Sequence, residues 1–240
     1  MSTFVPVNNC RQRILPHAAL TPIALLTASL LLAASAIAAQ PKGHSPKLAS
    51  AEADPALPNV LLIGDSISMG YTGPVAKRLA GEANVYRPAA NCGPTSRGLE
   101  HLDGWLGDIE WDVIHFNWGL HDLKFIDGER QVPLDQYGEN IEKLVDQLQR
   151  TGATLIWCST TPVPKGKVRP KRIPSDAAAY NRAAAEVMAE HGIRVNDLYA
   201  YALPRLEEIQ QPVNVHFTRQ GSEKLAEQVA QAIRQALAEK

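Results

Sequence analysis

The chain has 240 residues, of which 45% are hydrophobic and 20% charged, enough for one large domain with a real core and an extension. Its net charge of −1 excludes a general nucleic-acid binder, which needs a strong basic excess.

The N-terminus carries Arg11 and Arg13, then an apolar stretch from Ile23 to Ala34, then Ala36-Ile37-Ala38 as small residues at a cleavage position. This pattern predicts a signal peptide over 1–38 and an exported, periplasmic or secreted protein. Cleavage removes both arginines and no acidic residue, so the mature chain is more negative than the full one. The competing reading is an uncleaved membrane anchor, because Ile14 to Ala39 is long enough to span a bilayer. Pro16, His17 and Pro22 interrupt its first third, so export with cleavage is the expectation, with no membrane contact afterwards. Residues 39–57 are polar, proline-rich and without periodicity, and they read as a flexible linker to a domain over 58–240.

From Asn59 the pattern alternates. Strands are predicted at 59–63, 84–87, 112–117, 153–159 and 193–196. Helices are predicted near 68–80, 95–107, 135–150, 176–191 and 220–238. Tyr137, Ile141, Leu144, Val145 and Leu148 share one helical face, and Thr151-Gly152 stops that helix. Leu225, Val229, Ile233 and Leu237 do the same in the last one. Val60 to Ile63 and Leu155 to Trp157 are apolar on both faces, as buried parallel strands are. Strict alternation predicts an α/β fold, a doubly wound parallel sheet of about five strands. Ligands then bind at the carboxyl ends of the strands.

Those ends carry the chemistry. Gly64-Asp65-Ser66 follows the first strand, so a hydroxyl stands beside the free N–H groups of a helix start. Asn91-Cys92-Gly93-Pro94-Thr95 follows the second strand, and Asn117-Trp118-Gly119-Leu120-His121-Asp122 the third. Val213-Asn214-Val215-His216-Phe217-Thr218 precedes the last helix. Taken in order, these four blocks resemble the SGNH (GDSL-like) hydrolase family of esterases and lipases over nearly all of 58–238.

The resemblance implies a flavodoxin-like, three-layer α/β/α fold and ester hydrolysis with Ser66 as nucleophile and His216 as general base. It makes the N–H groups of Ser66 and Gly93 the oxyanion donors, and it requires no metal or organic cofactor. Two departures stand out. The family's third block usually reads Gly-x-Asn-Asp, and His121 stands at the asparagine position. An imidazole N–H can donate to an oxyanion as an amide does, but its role depends on tautomer and pH; the alternative is a structural hydrogen bond behind the site. The last block usually reads Asp-x-x-His, and the position three before His216 is Val213. Asn214 is a supporting residue expected to point elsewhere, with a backbone carbonyl as another partner for the imidazole; Asp197 reads as the N-cap of the helix after the fifth strand and is the nearest alternative partner. A Ser66–His216 dyad with a weakened base is therefore expected.

Asp65 and Asp122 are expected to bond backbone N–H groups and hold their loops. Asn117 is placed to meet substrate, and Trp118 either stacks on a sugar ring there or is a large core residue. His115, His121 and Asp122 lack any HxH or HExxH spacing, so no metal site is expected. Cys92 and Cys158 read as free thiols. Five positive charges between Lys165 and Arg172 form either a solvated loop or a clamp for an anionic polymer. The expected substrate is a small-molecule or glycan ester, most simply an acetylated carbohydrate. The alternatives are a fold-retaining carbohydrate-binding protein of weak activity, a polysaccharide acyltransferase, and a lysophospholipase-type lipase.

Overall fold

The computed structural model describes residues 45–50 and 52–239. The signal-peptide expectation for 1–38 falls outside them, as does the start of the linker. No helix among the described residues is long and apolar enough to cross a membrane.

The strands are β1 (Pro46–Leu48), β2 (Asn59–Ile63), β3 (Asn84–Pro88), β4 (Val113–Phe116), the short pair β5 (Phe125–Ile126) and β6 (Glu129–Arg130), β7 (Thr154–Cys158) and β8 (Arg194–Asn196). The helices are α1 (Ser66–Arg78), α2 (Thr95–Leu106), α3 (Leu134–Gln149), α4 (Pro174–Glu190), the short α5 (Leu198–Ala202) and α6 (Leu206–Ile209), and α7 (Arg219–Ala238). The main sheet runs β1-β3-β2-β4-β7-β8, parallel throughout except for β1. Its five parallel strands have the doubly wound order 2-1-3-4-5 when counted along the chain. Chain direction reverses across the sheet between β2 and β4, which opens a crevice at their carboxyl ends.

Helix α1 packs on α7, while α2 packs on α3 and α3 on α4. Val60 to Ile63 of β2 and Ile114 and Phe116 of β4 are fully buried between these layers. The predicted faces of α3 and α7 point into the core, and their buried positions recur at three- and four-residue intervals.

One segment departs from the sequence reading. Part of the stretch expected to be a flexible linker is an edge strand, with Pro46 opposite Pro88 and Leu48 opposite Tyr86. Further on, the Asn84 side chain donates to the carbonyls of Asp54 and Leu57 and accepts the Asp54 N–H. The order comes from these backbone bonds to β3 and not from a hydrophobic pattern, so periodicity gives no sign of it.

Candidate active site

Ser66 is the first residue of α1, two residues beyond Gly64 at the end of β2. Asp65 caps this helix: its Oδ1 accepts the Ile67 N–H at 2.8 Å while its own backbone stays extended. A Cβ on Gly64 would sit 2.9 Å from the Ser68 side chain, so the turn closes tightly under the serine. The Ser66 N–H finds no acceptor among the described residues and faces the crevice end of the helix.

His216 approaches from the turn before α7. Its Nε2 lies 2.8 Å from Ser66 Oγ, and its Nδ1 lies 2.8 Å from Asn214 Oδ1. The same Asn214 oxygen accepts the backbone N–H of His216 at 3.0 Å. A backbone N–H only donates, so the atom facing it must be the amide oxygen. The His216 proton is therefore on Nδ1, and Nε2 is left to accept the proton of the Ser66 hydroxyl. Asn214 faces the imidazole after all, which corrects the expectation that it points elsewhere. Asp197 is not a partner: its Oδ1 accepts from the Ser159 hydroxyl at 2.7 Å and from the Ala200 N–H, capping α5. Val213, at the family's aspartate position, is half-exposed, leans over Gly166 and has a positive φ of 52°.

The second block is shaped by Gly93, whose φ of +62° favours glycine. Its N–H donates to Asn91 Oδ1 at 2.9 Å. The N–H assigned to the oxyanion by resemblance is thus already engaged, and it serves an oxyanion only by sharing or exchanging that acceptor.

The third block is a rigid turn. Gly119 has a φ of +153°, and a Cβ there would come within 2.0 Å of Thr160 Oγ1. The Trp118 carbonyl accepts from the Tyr137 and Thr160 hydroxyls, each at 3.0 Å, and the Leu120 carbonyl accepts from Arg172 Nε at 2.8 Å. Asp122 is buried, and its Oδ1 accepts from both the N–H and the hydroxyl of Thr95, capping α2 where Pro94 offers no side-chain cap. Burial pushes the Asp122 carboxyl up to about 7, and its Oδ2 has no partner. His121 is held between these bonds with Nδ1 3.3 Å from Lys124 Nζ. Burial lowers the pKa of His121, opposed by the charge of Asp65 and reinforced by Lys124, Arg172 and His216.

Three readings fail here. Trp118 does not stack on substrate: it is buried against Gly98, Leu144 and Phe116. Asn117 is not free to bind substrate through its amide N–H groups, which donate to the Cys158 carbonyl at 2.7 Å and to Thr160 Oγ1, tying β4 to β7. Arg172 does not belong to a solvated clamp, since it is buried against the Leu120 and Pro170 carbonyls. Lys165, Lys167 and Arg169 remain exposed, and Lys171 lies over the Phe125 ring at 4.4 Å.

The other groups weighed for metal or redox chemistry are committed elsewhere. His115 Nε2 accepts from Asn196 at 3.0 Å inside the core, away from the Thr95 contact of Asp122. Cys92 and Cys158 are buried and free; burial pushes Cys92 up to about 12 and Cys158 well above the usual thiol range. Lys124 and Arg172 were not singled out from sequence as site residues. The available signal was spacing, since Lys124 stands three residues after His121 across a turn closed by the Leu123 N–H to Gly119 carbonyl bond.

The family model for GDSL-like lipases and acylhydrolases matches residues 62–224. The chain belongs to this family, and it is a carboxylic ester hydrolase. The fold is similar to that of a lipase/acylhydrolase from Enterococcus faecalis, with 24% identity over 73% of this chain and 95% of that one, at a TM-score of 0.64. It is similar also to the acetyl xylan esterase AlAXEase, with 17% identity over 73% and 99% of the two chains and a TM-score of 0.60. The acetylxylan esterase Axe2 from Geobacillus stearothermophilus gives 16%, 72% and 93%, and 0.61. None of the curated proteins compared with the chain matches it.

Proposed function

We propose that the chain is an exported serine esterase that removes a short acyl group, acetyl in the first place, from a carbohydrate. His216 Nε2 takes the proton of Ser66 Oγ as the oxygen attacks the ester carbonyl. The imidazolium that forms stays oriented by Asn214 and then protonates the leaving alcohol oxygen. Water, activated by the same nitrogen, hydrolyses the acyl-enzyme. The oxyanion is met by the Ser66 N–H and by His121.

The observation behind the substrate class is the contrast between a small cavity under the start of α1 and a groove flanked by Val213, the neighbour of Asn214. The cavity under the start of α1, lined by Ile67, Ser68, Tyr71 and Asn117 among others, measures about 10 Å³, too small for an extended acyl chain. The groove, about 690 Å³, has an apolar wall that includes Leu203, Leu206 and Val213 and a polar wall that includes Lys165, Arg205 and Glu208. Such hydrogen-bonding side chains suit a hydroxyl-rich alcohol. Two of the structural neighbours named above are acetylxylan esterases, in line with this reading.

The test compares p-nitrophenyl acetate, butyrate and decanoate, and an acetylated xylo-oligosaccharide, with Ser66→Ala and His216→Ala alongside. Acetate should be hydrolysed fastest, acetic acid should be released from the oligosaccharide, and each variant should lose at least about 10³-fold in kcat. Preference for the decanoate would replace this reading with a lipase. Equal background rates in all three proteins would replace it with a binding role.

A further inference from the structure

We propose that Lys124 is a positioning residue which, through its hydrogen bond to Nδ1, fixes His121 as a neutral imidazole with its proton on Nε2, ready to donate to the oxyanion. The inference rests on the esterase reading for the word oxyanion, but its geometry stands apart from it.

An ammonium group has donors and no acceptor. A nitrogen that faces one at 3.3 Å must offer its lone pair, so His121 Nδ1 carries no proton and the remaining proton sits on Nε2. The other charged and titratable groups acting on His121 are Asp65 from the cap of α1, Arg172 from the loop before α4 and His216 from the turn before α7. Two of these three, with Lys124, oppose a second proton on the ring; Asp65 alone favours one. Partial burial works in the same direction as the cations. Lys124 is itself held, because its carbonyl accepts the Gln131 N–H and the β5–β6 pair begins directly after it.

This answers the difficulty that a histidine raises at an oxyanion position. An amide donor keeps its N–H at every pH, whereas an unconstrained imidazole divides its proton between two nitrogens and gains a second one near neutrality. Lys124 removes both freedoms. The role gains weight because the Gly93 N–H is occupied by Asn91, leaving Ser66 N–H and His121 as the donors without a competing acceptor.

The experiment uses Lys124→Met and Lys124→Arg, each made with His121 present and with His121→Asn. Two quantities are read: kcat and KM for p-nitrophenyl acetate from pH 5 to 9, and the ring-nitrogen shifts of 15N-labelled histidine, assigned by comparison with His121→Asn. The wild-type protein should show His121 protonated on Nε2 alone above its titration, which burial and the neighbouring cations hold below the ordinary imidazole value. Lys124→Met should show a mixed tautomer and a His121 titration moved upward in pH, with kcat lowered about tenfold at unchanged KM. Lys124→Arg, which also only donates, should restore the tautomer and most of kcat. In the His121→Asn background Lys124→Met should change kcat less than twofold.

Equal losses in both backgrounds would make Lys124 merely structural and overturn the proposal, as would a wild-type spectrum with the proton on Nδ1. A protein with the Nε2 tautomer that turns over none of the esters would sink the esterase reading and the oxyanion role together. An active protein with the wrong tautomer would sink this proposal alone.

Discussion

His216 owes its tautomer to a single oxygen that accepts two of its N–H groups. Where an asparagine faces a catalytic imidazole without such a constraint, its NH₂ can turn inward and leave the wrong nitrogen protonated. Here the backbone N–H of His216 excludes that rotamer, and Asn214 Nδ2 is directed instead to Gln211 Oε1 at 3.3 Å. What a carboxamide lacks is negative charge to stabilise the imidazolium. Asn214→Asp should therefore raise kcat/KM about tenfold, since a charge-assisted bond is roughly twice as strong as a neutral one. It should also move the acid limb of the pH–rate profile to higher pH, because the base becomes easier to protonate. Val213→Asp should do neither, since Val213 leans over Gly166 and Asn214 alone holds the imidazole. A rate gain from Val213→Asp and none from Asn214→Asp would reverse this assignment. Ser66 was legible in the sequence because a strand, a tight turn and a helix start leave little freedom, and His216 through the resemblance carried by the block before the last helix. Asn214 was not, because its direction depends on a valine at positive φ, a conformation costing about 1–3 kcal/mol that no sequence rule assigns to a β-branched residue.

The turn after β4 is the element on which the site depends most. It sets His121 where the charges of Asp65 and His216 act on it, Trp118 in the core and Asp122 on the start of α2, so it couples three elements through six residues. Gly119 lets it pass under Thr160. Gly119→Ala should cost about 2 kcal/mol or more, because the new methyl meets a packed side chain in a backbone region unfavourable to alanine. It should also lower turnover by displacing His121. Urea unfolding and kcat measured on one preparation check both; unchanged stability would mean that Thr160 gives way freely. The five parallel strands were readable because burial on both faces leaves continuous apolar runs. The position of Trp118 was open to the same reasoning: it lies two residues beyond Phe116 and continues that strand's face, as period-two alternation requires. β1, β5 and β6 span only two or three residues each and are held by backbone pairing, which leaves no periodic trace.

Across the whole molecule, two buried titratable groups act on stability in opposite senses. His115 is fully buried beside Tyr71 and Asn196, and burial lowers its pKa to about 3, below its ordinary 6.5. The unfolded chain therefore takes up this proton first, and stability falls as pH drops below 6.5 toward 3. Asp122 is raised to about 7 from 3.8, so the folded chain takes up its proton first. Its contribution is fully present below pH 3.8 and is lost as pH rises through 7. Each group contributes a slope of about 1 kcal/mol per pH unit within its window, with opposite signs. Between about pH 4 and 6.5 the windows overlap and these two slopes cancel, so the wild-type slope there is the smaller one left by His121, whose pKa burial also lowers and which favours the fold as pH rises. Removing either group exposes the other. His115→Gln should become less stable as pH rises from 4 to 6.5, and Asp122→Asn less stable as pH falls across the same interval. Urea midpoints at pH 4.5, 5.5 and 6.5 would read these slopes. The two side chains share no hydrogen bond, so their effects should add and the double variant should return to the wild-type slope. Slopes of the same sign in both single variants would show that some other group governs the pH response of this fold.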